Sequence, residues 1–312
     1  MPLDQRGDSA QSDDMTGQQD DFSHLDRAGR ATATIARNPR VTVNVAVGAC
    51  ILLAWLLLAA MAIRGAEAGI ASVSAPGDTI LRKLPQPPLP DFLERFFALC
   101  LSPAPLDASL ALQAGGLVSM WFLMAIATML PSAAPMIRTY CEIADTARIK
   151  GEPAVHPLVL VAGYLSVWLG ASVTFAAPTL AAHAFGSPDG MLDPVVGIAG
   201  ALALLTAGLY QFSGLKEACL TKCKNPFSIL FANWSARPVG IFRLGVKQGL
   251  WCLGCCWALM MVMFAVGVMN VFWMALIGLF TLIEKQTASR VPTRLAGAIL
   301  LVWAAALLVV SL

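Results

Sequence analysis

A chain of 312 residues that is 57% hydrophobic and only 13% charged, with a mean hydropathy of +0.70, has too little charge to coat a water-facing globule, for which roughly 25% is usual. A net charge of +2, with no lysine- or arginine-rich cluster interleaved with aromatics, excludes nucleic acid as a partner. The apolar residues come in charge-free runs of about 20, the length a hydrocarbon core about 30 Å thick demands. The predicted fold class is therefore all-α: a polytopic transmembrane helix bundle with the lipid bilayer as its first partner.

In chain order, residues 1–40 hold twelve charged residues, seven of them Asp, and few large apolar side chains. Such a stretch cannot bury enough surface to offset its ordering entropy, which predicts a disordered cytoplasmic tail. The first apolar run, 41–63, starts too late and is too long for a cleaved signal and reads as the first transmembrane helix. Residues 64–110 form a Pro-rich external loop, with Pro76, Pro85, Pro87, Pro88, Pro90, Pro103 and Pro105, that leaves room for an interfacial helix at Asp91–Phe97. The region 111–312 is the transmembrane bundle, with spans predicted at 111–130, 157–181, 192–212, 248–266, 269–283 and 295–312, about seven in all.

The stretch Gln248–Ile283 is charge-free over 36 residues and would make a helix of about 54 Å, too long for one crossing. A turn at Gly267-Val268-Met269-Asn270 divides it; one tilted helix is the alternative. With the N-terminus inside, seventeen Lys and Arg fall on inner segments and four on outer ones, the distribution that keeps positive loops cytoplasmic. The expected form is a multi-pass protein of a cytoplasmic (inner) membrane.

Eight Cys occur, and five crowd into 38 positions: Cys219, Cys223, Cys252, Cys255 and Cys256. Spacings of i, i+4 and of i, i+3, i+4 set each group on one helix face, and the predicted topology puts both groups at similar depth near the inner leaflet. Reducing cytoplasm disfavours a disulfide framework there, so clustered thiols point to metal ligation or redox chemistry. Soft sulfur donors favour Cu(I), whereas a zinc site wants four Cys or His in a tetrahedron. Two other readings use the same residues: free Cys as a small buried hydrophobe beside Gly249, Gly254 and Ala258, and a thiol relay helped by Lys216, Lys222 and Lys224.

Methionine extends the pattern. Cys252, Cys256, Met260 and Met263 advance by four, four and three along one helical stripe, thiols grading into thioethers, although Met is also a flexible gap-filler in apolar cores. Asn270 suits a cap at the proposed turn, Glu284 and Lys285 suit a boundary ion pair, and Gln211 or Glu217 suit hydrogen bonds to metal ligands. His156 and His183 have no second His at helical spacing. No phosphate-cradling Gly-rich loop, Ser nucleophile elbow or paired catalytic carboxylates occur, so no nucleotide is expected and no turnover is required.

Met120-Trp121-Phe122-Leu123-Met124 leading to Met129-Leu130-Pro131, then Ala207-Gly208-Leu209-Tyr210-Gln211, Leu215-Lys216 and Cys219-Leu220-x-x-Cys223, form an ordered set of motifs. It continues with Gly249-x-x-Cys252-x-Gly254-Cys255-Cys256-Trp257-x-Leu259-Met260, Gly267-Val268-Met269-Asn270, Trp273-Met274 and Glu284-Lys285. Over about residues 110–290 the chain resembles the bacterial family of predicted metal-binding integral membrane proteins, a domain of unknown function. The resemblance implies metal binding. Together these readings give the expectation of a membrane protein that binds a soft metal ion, Cu(I) before Zn(II), through Cys219, Cys223, Cys252, Cys255 and Cys256 with Met260 and Met263. The ion is held for trafficking or delivery to a membrane metalloprotein. The alternatives are a metal-free scaffold or accessory subunit and a thiol-disulfide oxidoreductase.

Overall fold

The computed structural model describes residues 39–67, 90–101, 109–185, 193–232, 234–267 and 270–311, and every regular element among them is a helix. In chain order these are α1 (Pro39–Glu67), α2 (Asp91–Leu101), α3 (Leu110–Ile149), α4 (Pro157–Phe185) and α5 (Asp193–Gln211). They are followed by α6 (Gly214–Lys224), α7 (Pro226–Ala232), α8 (Pro238–Val266), α9 (Val271–Gln286) and α10 (Val291–Ser311). The expected disordered tail (all but its last two residues), most of the Pro-rich loop and the tip of the 267–270 turn lie outside the described residues. The anticipated helix at Asp91–Phe97 is present as α2, tied to α1 by the Arg64–Glu94 ion pair at 2.9 Å.

Five described helices, α1, α3, α4, α8 and α10, are long and apolar enough to cross a membrane, and the α5–α6 pair, bent by 65°, makes six. The difference from seven is α9, whose 16 residues extend only about 24 Å at about 1.5 Å per residue. Two expected boundaries are corrected. Helix α3 does not stop at 130 but runs 40 residues through Pro131 and Pro135. Proline lacks the N–H that would bond the carbonyl four residues back, and in an apolar interior that carbonyl needs another donor. The indole Nε1 of Trp55 on α1 supplies it, donating to the Ala127 carbonyl at 3.0 Å. Helix α8 starts at Pro238 rather than 248, with proline in its first turn, where a missing N–H is harmless. Its polar opening turns carry Arg243 and Lys247, and Cys252–Cys256 consequently sit near its midpoint.

The turn expected after Val266 is real, and it rules out one continuous helix. Gly267 takes φ of 96°, a conformation glycine adopts without penalty, and Asn270 caps α9 by accepting from the Trp273 N–H at 3.2 Å.

Close approach between helices organises the interior. A Cβ at Gly163 of α4 or at Gly245 of α8 would strike the backbone of the facing helix, so the two cross backbone to backbone. Small residues permit such contact in apolar bundles, where packing is the main attraction. Gly208 likewise lets α5 lie on α10 at Leu301.

Candidate metal centre

The α4–α8 crossing brings Tyr164 onto Cys252: the phenol oxygen lies 3.0 Å from the Cys252 sulfur and donates to the Met129 carbonyl of α3, also at 3.0 Å. From the other side, α9 contributes Lys285, whose ammonium donates to Cys252 Sγ at 3.0 Å and to Ser132 Oγ of α3 at 2.7 Å. Cys252 is thus a buried thiol held between α4 and α9, whose gripping side chains are both anchored on α3.

A second sulfur group reaches it from α6. Gly254 of α8 is the point of approach, because a Cβ there would overlap the Cys219 sulfur, and the Tyr210 hydroxyl at the end of α5 donates to the Gly254 carbonyl at 2.5 Å. One turn further along α6, Cys223 Sγ lies 3.9 Å from Cys255 Sγ, and Cys255 Sγ lies 3.2 Å from Cys256 Sγ. Two sulfurs each about 2.3 Å from a shared ion stand about 4 Å apart, so the Cys223–Cys255 spacing matches a bridged pair. The donors are adjacent rather than preformed as a cage: among the described residues no three Cys, His, Asp or Glu side chains stand in ion-holding geometry. Cys255 donates to the Cys252 carbonyl at 3.1 Å, a bond given up when the thiol loses its proton to bind an ion.

The seven expected residues therefore divide. Cys223, Cys252, Cys255 and Cys256 form one neighbourhood. Cys219 is buried a turn away against Gly254, with no sulfur contact among the described residues. Met260 and Met263 are buried further along α8, about 6 Å and 10 Å beyond Cys256 along the axis. All eight Cys are free thiols. Cys100 shows what isolation does: burial pushes its thiol up to about 12, and it merely donates to the Gly116 carbonyl at 3.4 Å.

A cavity of about 60 Å³ opens on this neighbourhood, lined by Cys223 and Cys252 together with Ser132, Met136, Gln248 and Lys285. The Gln248 side-chain oxygen is buried and unpartnered. The cavity lies beside the ends of α6 and α9, where Lys224 and Gln286 also line it.

Two polar expectations are overturned. Glu284 does not pair with its neighbour Lys285; consecutive helical residues point about 100° apart, and Glu284 instead reaches Lys216 of α6 at 2.9 Å. Gln211 and Glu217 do not support the sulfurs: Gln211 accepts from Lys216, and Glu217 pairs with Arg290. The groups that do hold Cys252, Tyr164 and Lys285, escaped the sequence reading. A usable signal existed, since the chain has only three Tyr and each hydroxyl anchors backbone: Tyr140 on Val155 in the loop before α4, Tyr164 on Met129 and Tyr210 on Gly254.

Fold and site together define a helical protein with a clustered-thiol centre, with helices suited to a membrane. Residues 118–307 match the model of the PpoB2 copper chaperone family, and the chain belongs to that family. The match takes in α4 to α9 whole, and with them every sulfur of the centre. No curated protein and no solved structure matches the chain.

Proposed function

We propose that this protein is a polytopic inner-membrane copper chaperone that takes Cu(I) as cargo on Cys223, Cys252, Cys255 and Cys256 and passes it to a membrane metalloprotein. The observation that carries the reading is the meeting of sulfurs from two separate helices, Cys223 and Cys255 at 3.9 Å, beside a cavity that Cys223 and Cys252 both line. Thiolates are the donors a soft monovalent ion prefers over the oxygen and nitrogen ligands of harder metals. Several thiolates around one Cu(I) leave net negative charge in a dry interior, and the Lys285 ammonium against Cys252 offsets part of it. Donors that stand close together without forming a finished cage suit a carrier, which has to release what it binds.

In this reading the N-terminus is cytoplasmic, residues 64–110 face outward, and the cavity at the ends of α6 and α9 takes up ions from the cytoplasmic side. Met260, one turn beyond Cys256, continues the sulfur stripe toward the outer face.

Anaerobic titration of the purified full-length protein with Cu(I) against a chromogenic chelator tests the proposal. Wild type retains a stoichiometric equivalent, and the Cys223→Ser/Cys252→Ser variant, shown to be folded by circular dichroism, loses it. A folded variant that keeps the equivalent overturns the assignment and leaves a scaffold role. The 3.2 Å Cys255–Cys256 contact favours one second reading, a thiol-disulfide exchanger. Equilibration in thiol-disulfide buffers removes it when no intramolecular disulfide forms across the accessible range.

A further inference from the structure

A second cavity, of about 340 Å³, lies on the far side of α6, between the N-terminal ends of α6 and α10. Four cations line it, Lys216, Lys224, Arg290 and Arg294, against one lining carboxylate, Glu217. Glu284, behind Lys216, adds one more negative charge, so the surroundings keep a net excess of positive charge. Three of the cations are already engaged: Lys216 with Glu284 and Gln211, Lys224 with the Thr287 carbonyl at 2.6 Å, and Arg290 with Glu217. Arg294 is exposed and has no ion-pair partner among the described residues. The starts of α6 and α10 each add the partial positive charge of a helix N-terminus.

The independent observation is Gln211. It lines the cavity and is only 4% exposed, and its side-chain oxygen is fixed by Lys216 at 2.5 Å, yet its Nε2 donor has no partner. A buried donor left unmet costs about 1–3 kcal/mol, and the cavity that Gln211 lines has room for an acceptor to meet it. That acceptor must be anionic and carry several oxygens to serve the amide and the guanidinium forks at once, which describes phosphate. A water needs only about 10–15 Å³ of such space, so this cavity admits an anion with an organic body.

We propose that this cavity binds a phosphate-bearing anion, by hydrogen bonds from Gln211 and Lys216 within and from Arg290 and Arg294 at its mouth. The inference does not depend on copper. It bears on the thiol centre only because one helix, α6, carries Lys216 at one end and Cys223 at the other.

The test uses full-length protein in neutral detergent, with the unfolding midpoint followed against four additions: inorganic phosphate, glycerol 3-phosphate, phosphatidylglycerol and phosphatidylcholine. Potassium chloride matched for ionic strength is the control. A saturable rise with the soluble phosphates assigns a free anion; a rise with phosphatidylglycerol but not phosphatidylcholine or soluble phosphate assigns a lipid headgroup. In either case Arg294→Gln, an exposed change that removes no internal contact, weakens the response about tenfold, the scale of one hydrogen bond to a charged group. No rise with any phosphate compound, a rise equalled by chloride, or an unaltered response in Arg294→Gln each overturns the proposal.

Discussion

Lys216 and Lys285 both carry an ammonium into the helix bundle, and the bundle receives the two charges in different ways. Lys216 meets the Glu284 carboxylate at 2.9 Å and the Gln211 amide oxygen, and Glu284 in turn accepts from Thr293 Oγ1 at 2.6 Å. Lys285, next to Glu284 on α9, meets no carboxylate among the described residues; its partners are the Ser132 hydroxyl and the Cys252 sulfur. The first arrangement is a direct ion pair with both members at most 2% exposed, although the second carboxylate oxygen of Glu284 has no partner among the described residues. The second leaves an ammonium beside a polarisable donor at the wall of a cavity. The direct pair fixes α6 against α9 and α10, whereas Lys285 keeps its charge for the thiolate that would hold a cargo ion.

That contrast breaks most visibly at the direct pair. Glu284→Gln strands the Lys216 charge in the interior, and removing one member of a buried pair costs about 3–5 kcal/mol. The expected result is a large drop in the unfolding midpoint in detergent, with Cu(I) stoichiometry of the protein that remains folded unchanged. A variant that keeps the wild-type midpoint shows that the pair does not hold α6.

Lys285→Met should do the reverse. Outer-shell partners of a metal ligand are worth about 10- to 100-fold in metal affinity, and Lys285 touches Cys252 directly. Competition against a Cu(I) chelator should show that loss, while the unfolding midpoint moves less than in Glu284→Gln, since Lys285 leaves no carboxylate unpaired. Equal copper affinity in the two proteins means that the Cys252 sulfur is not a ligand.

Much of this architecture was open to reading from the residues, because charge-free runs are a one-dimensional signal. The existence of α1, α4, α5, α8, α9 and α10 follows from apolar length alone, and the break at Gly267 from the excess length of one run. What could not be read was the end of α3, since Pro131 looks like a terminator until Trp55, 76 residues earlier, takes the orphaned carbonyl. The site shows the same division. Spacing put the Cys of each group on one face, and Gly254 beside them hinted at a close neighbour. Which side chains would hold Cys252 depended on the rotation of α9 about its axis. That rotation decides whether Glu284 or Lys285 faces the sulfurs, and adjacency in sequence suggested that the two faced each other.

The methionines give the smallest expected effect and the finest division of the stripe. Cys256 and Met260 are separated by one helical turn, and Met263 stands about 10 Å beyond Cys256, too far to share an ion bound at Cys255 and Cys256. Met263 is buried, and next to it in sequence Phe264 packs on Trp121 at 5.3 Å, with Trp121 stacked on Phe175 at 5.0 Å. Met263→Leu, a volume-conserving change in such a core, should alter stability by less than about 1.5 kcal/mol and leave both copper stoichiometry and affinity unchanged. Met260→Leu should also keep the stoichiometry, because the thiols hold the ion, but should slow its transfer to an added chelator if the stripe serves release. Stopped-flow measurement of that transfer separates the two positions: a common rate assigns both methionines to packing, and loss of the bound equivalent in Met260→Leu makes its thioether a ligand in its own right.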